Sequence, residues 1–390
     1  MSERAVPAVL EIGSVFGSEE LKTALAVAAG AGASDVFIQS DEPVRMRLHG
    51  RLHVLSSREL RTHEISALVS DQYGSNGSTR LLAGNDLDYT HTERIDRGKT
   101  LSYRVNGTPV LARGGQSGIE LVFRTIPSEP PKLVSMGLEP ELFKAILDFD
   151  EGIVLIVGTT GSGKSTTLAA VFAHLLENVD DRIIRCYESP AEFTYWNVRR
   201  RPASIITQSE VPRHLESFDR GVRNSLRRTP TDIMVGELRD RATIEAGLTA
   251  AITGHRVWAT AHAKDAAATV YRLINAFEEG NREVYALDLI QALHLIVVQR
   301  LVPSVSGGRV ALREWCHFAP SFRDALLSAP LRSVQQLVRD RVIAGRTSLA
   351  DAAQRAVEAG TASEAGVRVL LEGETRSVQS LDTKEKHAGA

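Results

Sequence analysis

Apolar and polar residues alternate at 34–39, 44–48, 51–55, 87–92, 100–105 and 119–124, and a period of two belongs to half-buried β-strands. An alanine-rich helix is expected just before them, at 21–31, while Asp41-Glu42-Pro43 and His49-Gly50 supply turn chemistry. The pattern predicts a small α+β domain with an antiparallel sheet over 1–126. Ile126-Pro127-Ser128-Glu129-Pro130-Pro131-Lys132 carries three prolines in seven residues, which can continue neither a helix nor a central strand, so 127–132 reads as a linker. Beyond it, aliphatic runs at 153–157, 182–186, 233–235 and 256–260 are separated by helical stretches. That is the pattern of a mostly parallel sheet covered by helices, and 133–345 is expected to be an α/β domain. From about 345 the chain turns rich in Ala, Glu, Ser and Thr, with one helical segment at 348–359. The stretch 346–390 is expected to be peripheral or partly disordered.

Composition narrows the class. At 43% hydrophobic and 24% charged residues the chain resembles an ordinary soluble protein, and no apolar run reaches the roughly 18 residues that a membrane span needs. Membrane association is expected only through partners. The first twenty residues lack the basic-then-apolar layout of a signal peptide, so cytoplasmic residence is expected. Cys186 and Cys316 stand far apart outside any CxxC pattern; neither a disulfide framework nor a zinc ribbon is supported, and both are expected to be small buried apolar side chains. A net charge of −2 argues against a chain built to bind nucleic acid directly.

The sharpest chemistry follows the 153–157 run. Gly158-Thr159-Thr160-Gly161-Ser162-Gly163-Lys164-Ser165-Thr166 precedes a helix-forming stretch, so a buried strand, a glycine turn and a helix N-terminus converge on one anion. In such a loop Lys164 reaches the β- and γ-phosphates of a nucleoside triphosphate and the Ser165 hydroxyl sits on Mg²⁺. The run Ile233-Met234-Val235-Gly236-Glu237 ends a second strand on a carboxylate, where ligands of open α/β sheets bind. Glu237 is a candidate metal or water ligand, although it could instead cap the next helix, and Gly236 stands where an aspartate often precedes such a glutamate. After the strand at 182–186 comes Tyr187-Glu188-Ser189-Pro190-Ala191-Glu192, with Glu188 at another strand end. Two carboxylates beside a P-loop suit general-base and metal-organising roles, and sequence alone leaves those roles exchangeable. Gly254-His255-Arg256-Val257-Trp258-Ala259-Thr260-Ala261-His262 brackets a short strand with two histidines. An isolated histidine is ordinarily structural, but His262, after a strand end, is positioned to bond a γ-phosphate or a catalytic carboxylate.

Together these motifs resemble those of the hexameric secretion ATPases of the PilT and VirB-type group. Gly158 to Thr166 is similar to their Walker A, Glu188 to Glu192 to their Asp box, Val235-Gly236-Glu237-Leu238-Arg239-Asp240 to their atypical Walker B, and Gly254 to His262 to their His box. Ala33-Ser34-Asp35, Phe123-Arg124-Thr125-Ile126-Pro127 and Gln299-Arg300-Leu301-Val302 extend the resemblance over roughly 33–318. Stretches at 207–215, 221–228 and 309–314 look most like the DotB and TraJ branch, the ATPases of type IVB (Dot/Icm) secretion and IncI-type conjugation.

The resemblance implies a RecA-like P-loop domain preceded by a PAS-like domain. It implies a homohexamer with ATP and Mg²⁺ between the two domains, working with inner-membrane and cytoplasmic components of a secretion or conjugation apparatus. It also implies phosphate-directed arginines at Arg104, Arg113 and Arg124. On this reading Glu188 activates water, Glu237 organises metal or water, and His262 senses the γ-phosphate. A pilus-retraction motor shares every catalytic motif, and an adaptor ring with incidental hydrolysis is the rival outside the motors. Ser189 stands where relatives usually have an acidic residue, which lowers the charge beside Glu188.

Overall fold

A computed structural model describes residues 6–96, 99–127, 129–368 and 370. They form two compact units. One comprises the described residues up to Pro130 with Glu188–Arg199 and Gln208–Glu216; the other comprises Pro131–Tyr187, Arg200–Thr207 and the described residues from Ser217 onward.

The first unit begins with helix α1 (Ser18–Ala31) and three strands, β1 (Asp35–Gln39), β2 (Pro43–Leu48) and β3 (Arg51–Glu59). Helices α2 (Thr62–Tyr73) and α3 (Gly77–Leu82) follow, then β4 (Leu87–Asp96), β5 (Lys99–Leu111) and β6 (Ser117–Ile126). The strands pair in the order β3-β2-β1-β6-β5-β4, antiparallel throughout. Alternation decides the faces: Val44, Met46 and Leu48 of β2 are buried while Arg45 and Arg47 point away, and Leu21, Leu25, Ile65 and Leu68 cover the apolar face. The β2–β3 turn needs positive φ at both central residues, which His49 (51°) and Gly50 (79°) adopt.

Helix α2 escaped the sequence pattern. It buries Ile65, Leu68, Val69 and one carboxylate, Glu64, which accepts hydrogen bonds from the Phe16 and Arg61 amides at 2.7 and 2.8 Å and from Arg58 at 2.6 Å.

The second unit opens with α4 (Pro140–Leu147), β7 (Gly152–Val157), α5 (Lys164–Asn178), β8 (Ile183–Glu188) and β9 (Ile205–Glu210). It continues through α6 (Phe218–Ser225), β10 (Asp232–Val235), α7 (Arg241–Ile252), β11 (Arg256–Ala261), α8 (Ala266–Asn275) and α9 (Arg282–Ala292). Strands β12 (Leu293–Pro303) and β13 (Arg309–His317) precede the last helices, α10 (Pro320–Leu327), α11 (Val334–Ala344) and α12 (Leu349–Glu358). The sheet order is β13-β12-β7-β11-β10-β8-β9. Strands β12, β7, β11, β10 and β8 are parallel and β13 antiparallel to β12.

Every residue of β7, β10 and β11 is buried, which is why they read as continuous apolar runs. Cys186 and Cys316 are both buried, and burial pushes the Cys316 thiol up to about 12.

The stretch expected to be peripheral from 346 packs in part. Helix α12 is capped by the Ser348 hydroxyl and buries Leu349, Ala352, Ala353 and Ala356; Ala362 and Val367 are also buried. The amphipathic spacing of those alanines outweighs the polar average of the segment. Residues 371–390 lie outside the described residues.

Candidate nucleotide site

Because β7, β8, β10 and β11 run parallel, the segments that follow them leave by one edge of the sheet. The P-loop follows β7, Glu188 ends β8, Glu237 comes two residues after β10, and His262 follows β11. His255, in contrast, precedes β11, and its Nδ1 lies 3.1 Å from the Ala250 carbonyl at the end of α7. The pair of histidines bracketing the strand is therefore divided between opposite edges, and only His262 keeps a place at the site.

The P-loop is shaped for a phosphate cradle. Gly158, Gly161 and Gly163 have φ of 153°, 77° and 84°, values that L side chains rarely adopt. A Cβ on Gly158 would stand 2.5 Å from the Gln299 carbonyl, and one on Gly163 would stand 2.8 Å from Gln299 Nε2, whereas nothing lies within 4 Å at Gly161. Lys164 opens α5 and its Nζ donates to the carbonyls of Gly158 (3.0 Å) and Thr159 (2.9 Å), holding the cation against the loop. Ser165 and Thr166 continue the first turn. Bare backbone, a helix N-terminus and an adjacent ammonium fit a triphosphate.

Among the described residues no group of three or more His, Cys, Asp or Glu could hold a metal ion.

A buried amide supports the loop from behind. Gln299 of β12, 1% exposed, donates from Nε2 to the Ser162 carbonyl at 2.7 Å, and its Oε1 accepts from Thr167 Oγ1 and from Arg313 Nε, each at 2.9 Å. Arg313 is itself buried, and desolvation, opposed in part by Glu139, lowers its pKa to about 10. It stays charged at neutral pH. Sequence reasoning marked both residues as parts of a resemblance and missed what they do. For Gln299 the available signal was the pair Gln299-Arg300 interrupting the apolar β12.

Glu237 sits in a turn bracketed by β11: the Leu238 amide donates to the Thr260 carbonyl at 2.9 Å, and Thr260 Oγ1 donates to the Gly236 carbonyl. A side chain at Gly236 would meet the Tyr187 carbonyl at 3.1 Å and the Phe218 ring at 3.2 Å, so an aspartate there would have to displace both. The cap of α7 is Asp240, whose Oδ1 accepts from the Thr243 amide at 2.9 Å, not Glu237. Replacing Asp240 by Ala should lower stability by about 1 kcal/mol with the turnover number unchanged, read from denaturant melts beside steady-state assays. A collapse of turnover would return Asp240 to the chemistry. His262 Nε2 lies 3.8 Å from Glu237 Oε1, near enough to feel its charge and too far for a hydrogen bond.

Glu188 has a different environment. It is buried and accepts from Gln208 Nε2 at 2.9 Å, while the same Nε2 donates to the Phe193 carbonyl at 2.8 Å. Desolvation raises its pKa to about 8; the Gln208 hydrogen bond opposes this, and Glu210 and Glu192 add to it. A carboxyl that titrates near neutrality is suited to proton transfer. Glu188, Gln208 and Glu210 belong to the first unit. There the Glu210 carboxylate accepts from the Thr90 and Ala191 amides at 2.8 and 3.1 Å, and Arg213 donates to the Thr90 carbonyl at 2.9 Å.

The three arginines are held by carboxylates. Arg104 Nε donates to Asp88 at 3.2 Å, Arg124 Nε donates to Asp35 at 3.0 Å, and Arg113 donates through two nitrogens to Glu59 at 2.9 Å. Arg104 and Arg124 are directly opposed across β5 and β6. Arg113 stands apart, in the turn between those strands. All three side chains are more than a third exposed, and such pairs stabilise by only about 0–1 kcal/mol.

The family model described as "Type II/IV secretion system protein" matches residues 16–369. The type IV pilus retraction ATPase PilT of Pseudomonas aeruginosa is 33% identical over 302 residues, which is 77% of this chain and 83% of that protein. The solved structure of the Legionella pneumophila ATPase DotB is 38% identical with a TM-score of 0.88, covering 94% of this chain and all of that one. The pilus retraction motor PilT with bound ADP is 26% identical with a TM-score of 0.74, covering 88% and 94%. The chain belongs to the type II/IV secretion system family, within the PilT and VirB-type superfamily, and is an ATP-hydrolysing enzyme with a RecA-like ATPase fold.

Proposed function

We propose that this ATPase is the motor of a type IVB-like secretion or conjugative transfer apparatus, acting as a homohexamer in the cytoplasm beside the inner membrane. The likeness to DotB carries the reading: it runs the full length of that chain at 38% identity, against 26% for the solved PilT. The pilus-retraction reading is supported by the 33% identity to the Pseudomonas protein and is the alternative.

Residues 1–126 are proposed to be a PAS-like domain, with the six-residue stretch 127–132 linking it to the ATPase domain at 133–345. No helix among the described residues is long and apolar enough to cross a membrane, which is compatible with attachment through inner-membrane and cytoplasmic components of the apparatus.

The roles follow from environment. Lys164 and the amides of 158–166 hold the phosphates. Ser165 and Glu237 are proposed ligands of Mg²⁺, which when bound would neutralise charge on the phosphate oxygens. Glu188, buried and titrating near 8, accepts the proton of the attacking water; Glu237, more exposed, suits the metal better. His262, 3.8 Å from Glu237, is the proposed sensor of the γ-phosphate. Arg104, Arg113 and Arg124 are the proposed cations for the transferring phosphoryl group, each exchanging a surface ion pair for it.

Light scattering of the purified protein tests the motor reading: a sixfold assembly is expected with ATP and Mg²⁺. A monomer both with and without them would sink the ring. Deletion of the gene should abolish substrate transfer while twitching motility persists; loss of pilus retraction with transfer intact would favour the alternative.

A further inference from the structure

The turn that begins at Glu188 is clamped by alternate residues of β9. Gln208 spans it from one end to the other: its Nε2 donates to Glu188 Oε1 at 2.9 Å and to the Phe193 carbonyl at 2.8 Å. Two residues on, the Glu210 carboxylate accepts from the Ala191 amide at 3.1 Å, inside the same turn. The period of two along a strand puts both side chains on one face of β9. Just past the strand the Val211 amide donates to the Glu188 carbonyl at 2.8 Å, so the backbone of Glu188 is fixed independently of its side chain.

The Gln208 amide can face only one way. Its two neighbours, a carboxyl oxygen and a carbonyl, both accept, and only the NH₂ end has two hydrogens to give them; the reversed amide would set oxygen against oxygen. Glu188 Oε1 is thereby committed to Gln208, whereas Oε2 has no hydrogen-bond partner among the described residues. The charged groups that bear on Glu188 are Glu210 and Glu192, both of like sign. Burial and these two carboxylates favour the neutral acid, and the Gln208 bond opposes them.

We propose that Gln208 is the positioning residue of the general base: its amide holds Oε1 of Glu188, so that Oε2 is turned to the attacking water and takes its proton. The proposal rests on the reading of Glu188 as that base. In the step it serves, the water oxygen bonds the γ-phosphorus, one water proton passes to Oε2 while the other stays on the new phosphate, and the β–γ bridging oxygen leaves with ADP.

Steady-state turnover from pH 6 to 10, measured on the full chain and on Gln208→Leu, Glu188→Gln and the double variant, tests it. Leucine fills the space and has no donor. Losing a hydrogen bond to a charged group should move the midpoint of the Gln208→Leu profile up by about one to two pH units. Turnover at pH 7 should then fall by about 10- to 100-fold, with KM for ATP unchanged and part of the loss recovered at pH 10.

In the Glu188→Gln background the same change should do nothing further, since a residue that acts through Glu188 has nothing left to act on. A parental midpoint in Gln208→Leu, or an equal fall in both backgrounds, would overturn the proposal and leave Glu188 in its role. Near-parental turnover in Glu188→Gln would remove the base, and the role of Gln208 with it. Should Gln208→Leu melt below the assay temperature, Gln208→Glu carries the test: it keeps the size, sets a like charge against Glu188 and should also raise the midpoint. An unmoved midpoint there overturns the proposal equally.

Discussion

Replacing Glu188 by Gln should lower the turnover number by about 10²- to 10⁴-fold, the usual contribution of a general base, and should at the same time make the protein more stable. Both effects come from one cause. Burial holds the carboxyl neutral until about pH 8, whereas in the unfolded chain it ionises near the ordinary value of 4.5. The folded state therefore holds a proton that the unfolded state gives up, and stability from this group is full below pH 4.5 and falls as pH rises through 8. At about 1.4 kcal/mol per pKa unit the loss amounts to a few kcal/mol. Glutamine, neutral at every pH and able to accept the Gln208 hydrogen bond, escapes it.

The melting temperature of Glu188→Gln should exceed that of the parent at pH 8, with the gap closing toward pH 5. The parental turnover number should climb about tenfold per pH unit up to about 8 and then level, since only the ionised carboxylate accepts a proton. A flat parental profile from pH 6 to 8, or near-parental turnover in the variant, would move the general base elsewhere.

Gln299→Ala should be the most damaging substitution outside the motifs that touch nucleotide. It strips partners from the Ser162 carbonyl, the Thr167 hydroxyl and Arg313 Nε. Each buried polar group left unpaired costs about 1–3 kcal/mol. Set against a stability of about 5–15 kcal/mol for a whole domain, the loss should lower the melting temperature by roughly 10 °C.

At a temperature where the variant is still folded, KM for ATP should rise more than the turnover number falls, because the loop that cradles phosphate has lost its rear support. Gln299→Glu separates the two effects. It keeps an acceptor for Thr167 and pairs with the buried Arg313, restoring part of the stability, but offers no donor to the Ser162 carbonyl, so KM should stay high. An unchanged KM in Gln299→Ala would reduce the residue to a packing role.

Much of this could be read from residue order, because the physics was local. A strand, a glycine turn and a helix start are neighbours in the chain, so the P-loop was legible residue by residue. The buried parallel strands were legible as apolar runs, to within a residue or two of β7, β8, β10 and β11.

What escaped reading depends on distant partners. β12 carries Gln299 and Arg300 within its buried run, and they blur a strand until one sees that the amide reaches Ser162. β9 is buried only at Glu210, so it has no periodicity to find. Glu237 could be read as the cap of α7, and only the bond from the Thr243 amide to Asp240 shows that the cap is another residue. The carboxylates that hold Arg104, Arg113 and Arg124 come from other strands or loops of the same sheet, at separations of 16, 54 and 89 residues for Asp88, Glu59 and Asp35.

Glu188–Arg199 and Gln208–Glu216 pack with the residues before 131 although the chain reaches them only later. An exchange of N-terminal halves between relatives, spliced at the proline-rich stretch, would therefore bring in foreign side chains at 73 and 89, whose rings lie under Arg213. Such a chimera should inherit its folding defects from the splice rather than from either parent. Carrying the two later segments along with the first 130 residues makes the exchange a three-piece cassette, and Glu188 travels with it: the inherited unit of the N-terminal half includes the proposed general base.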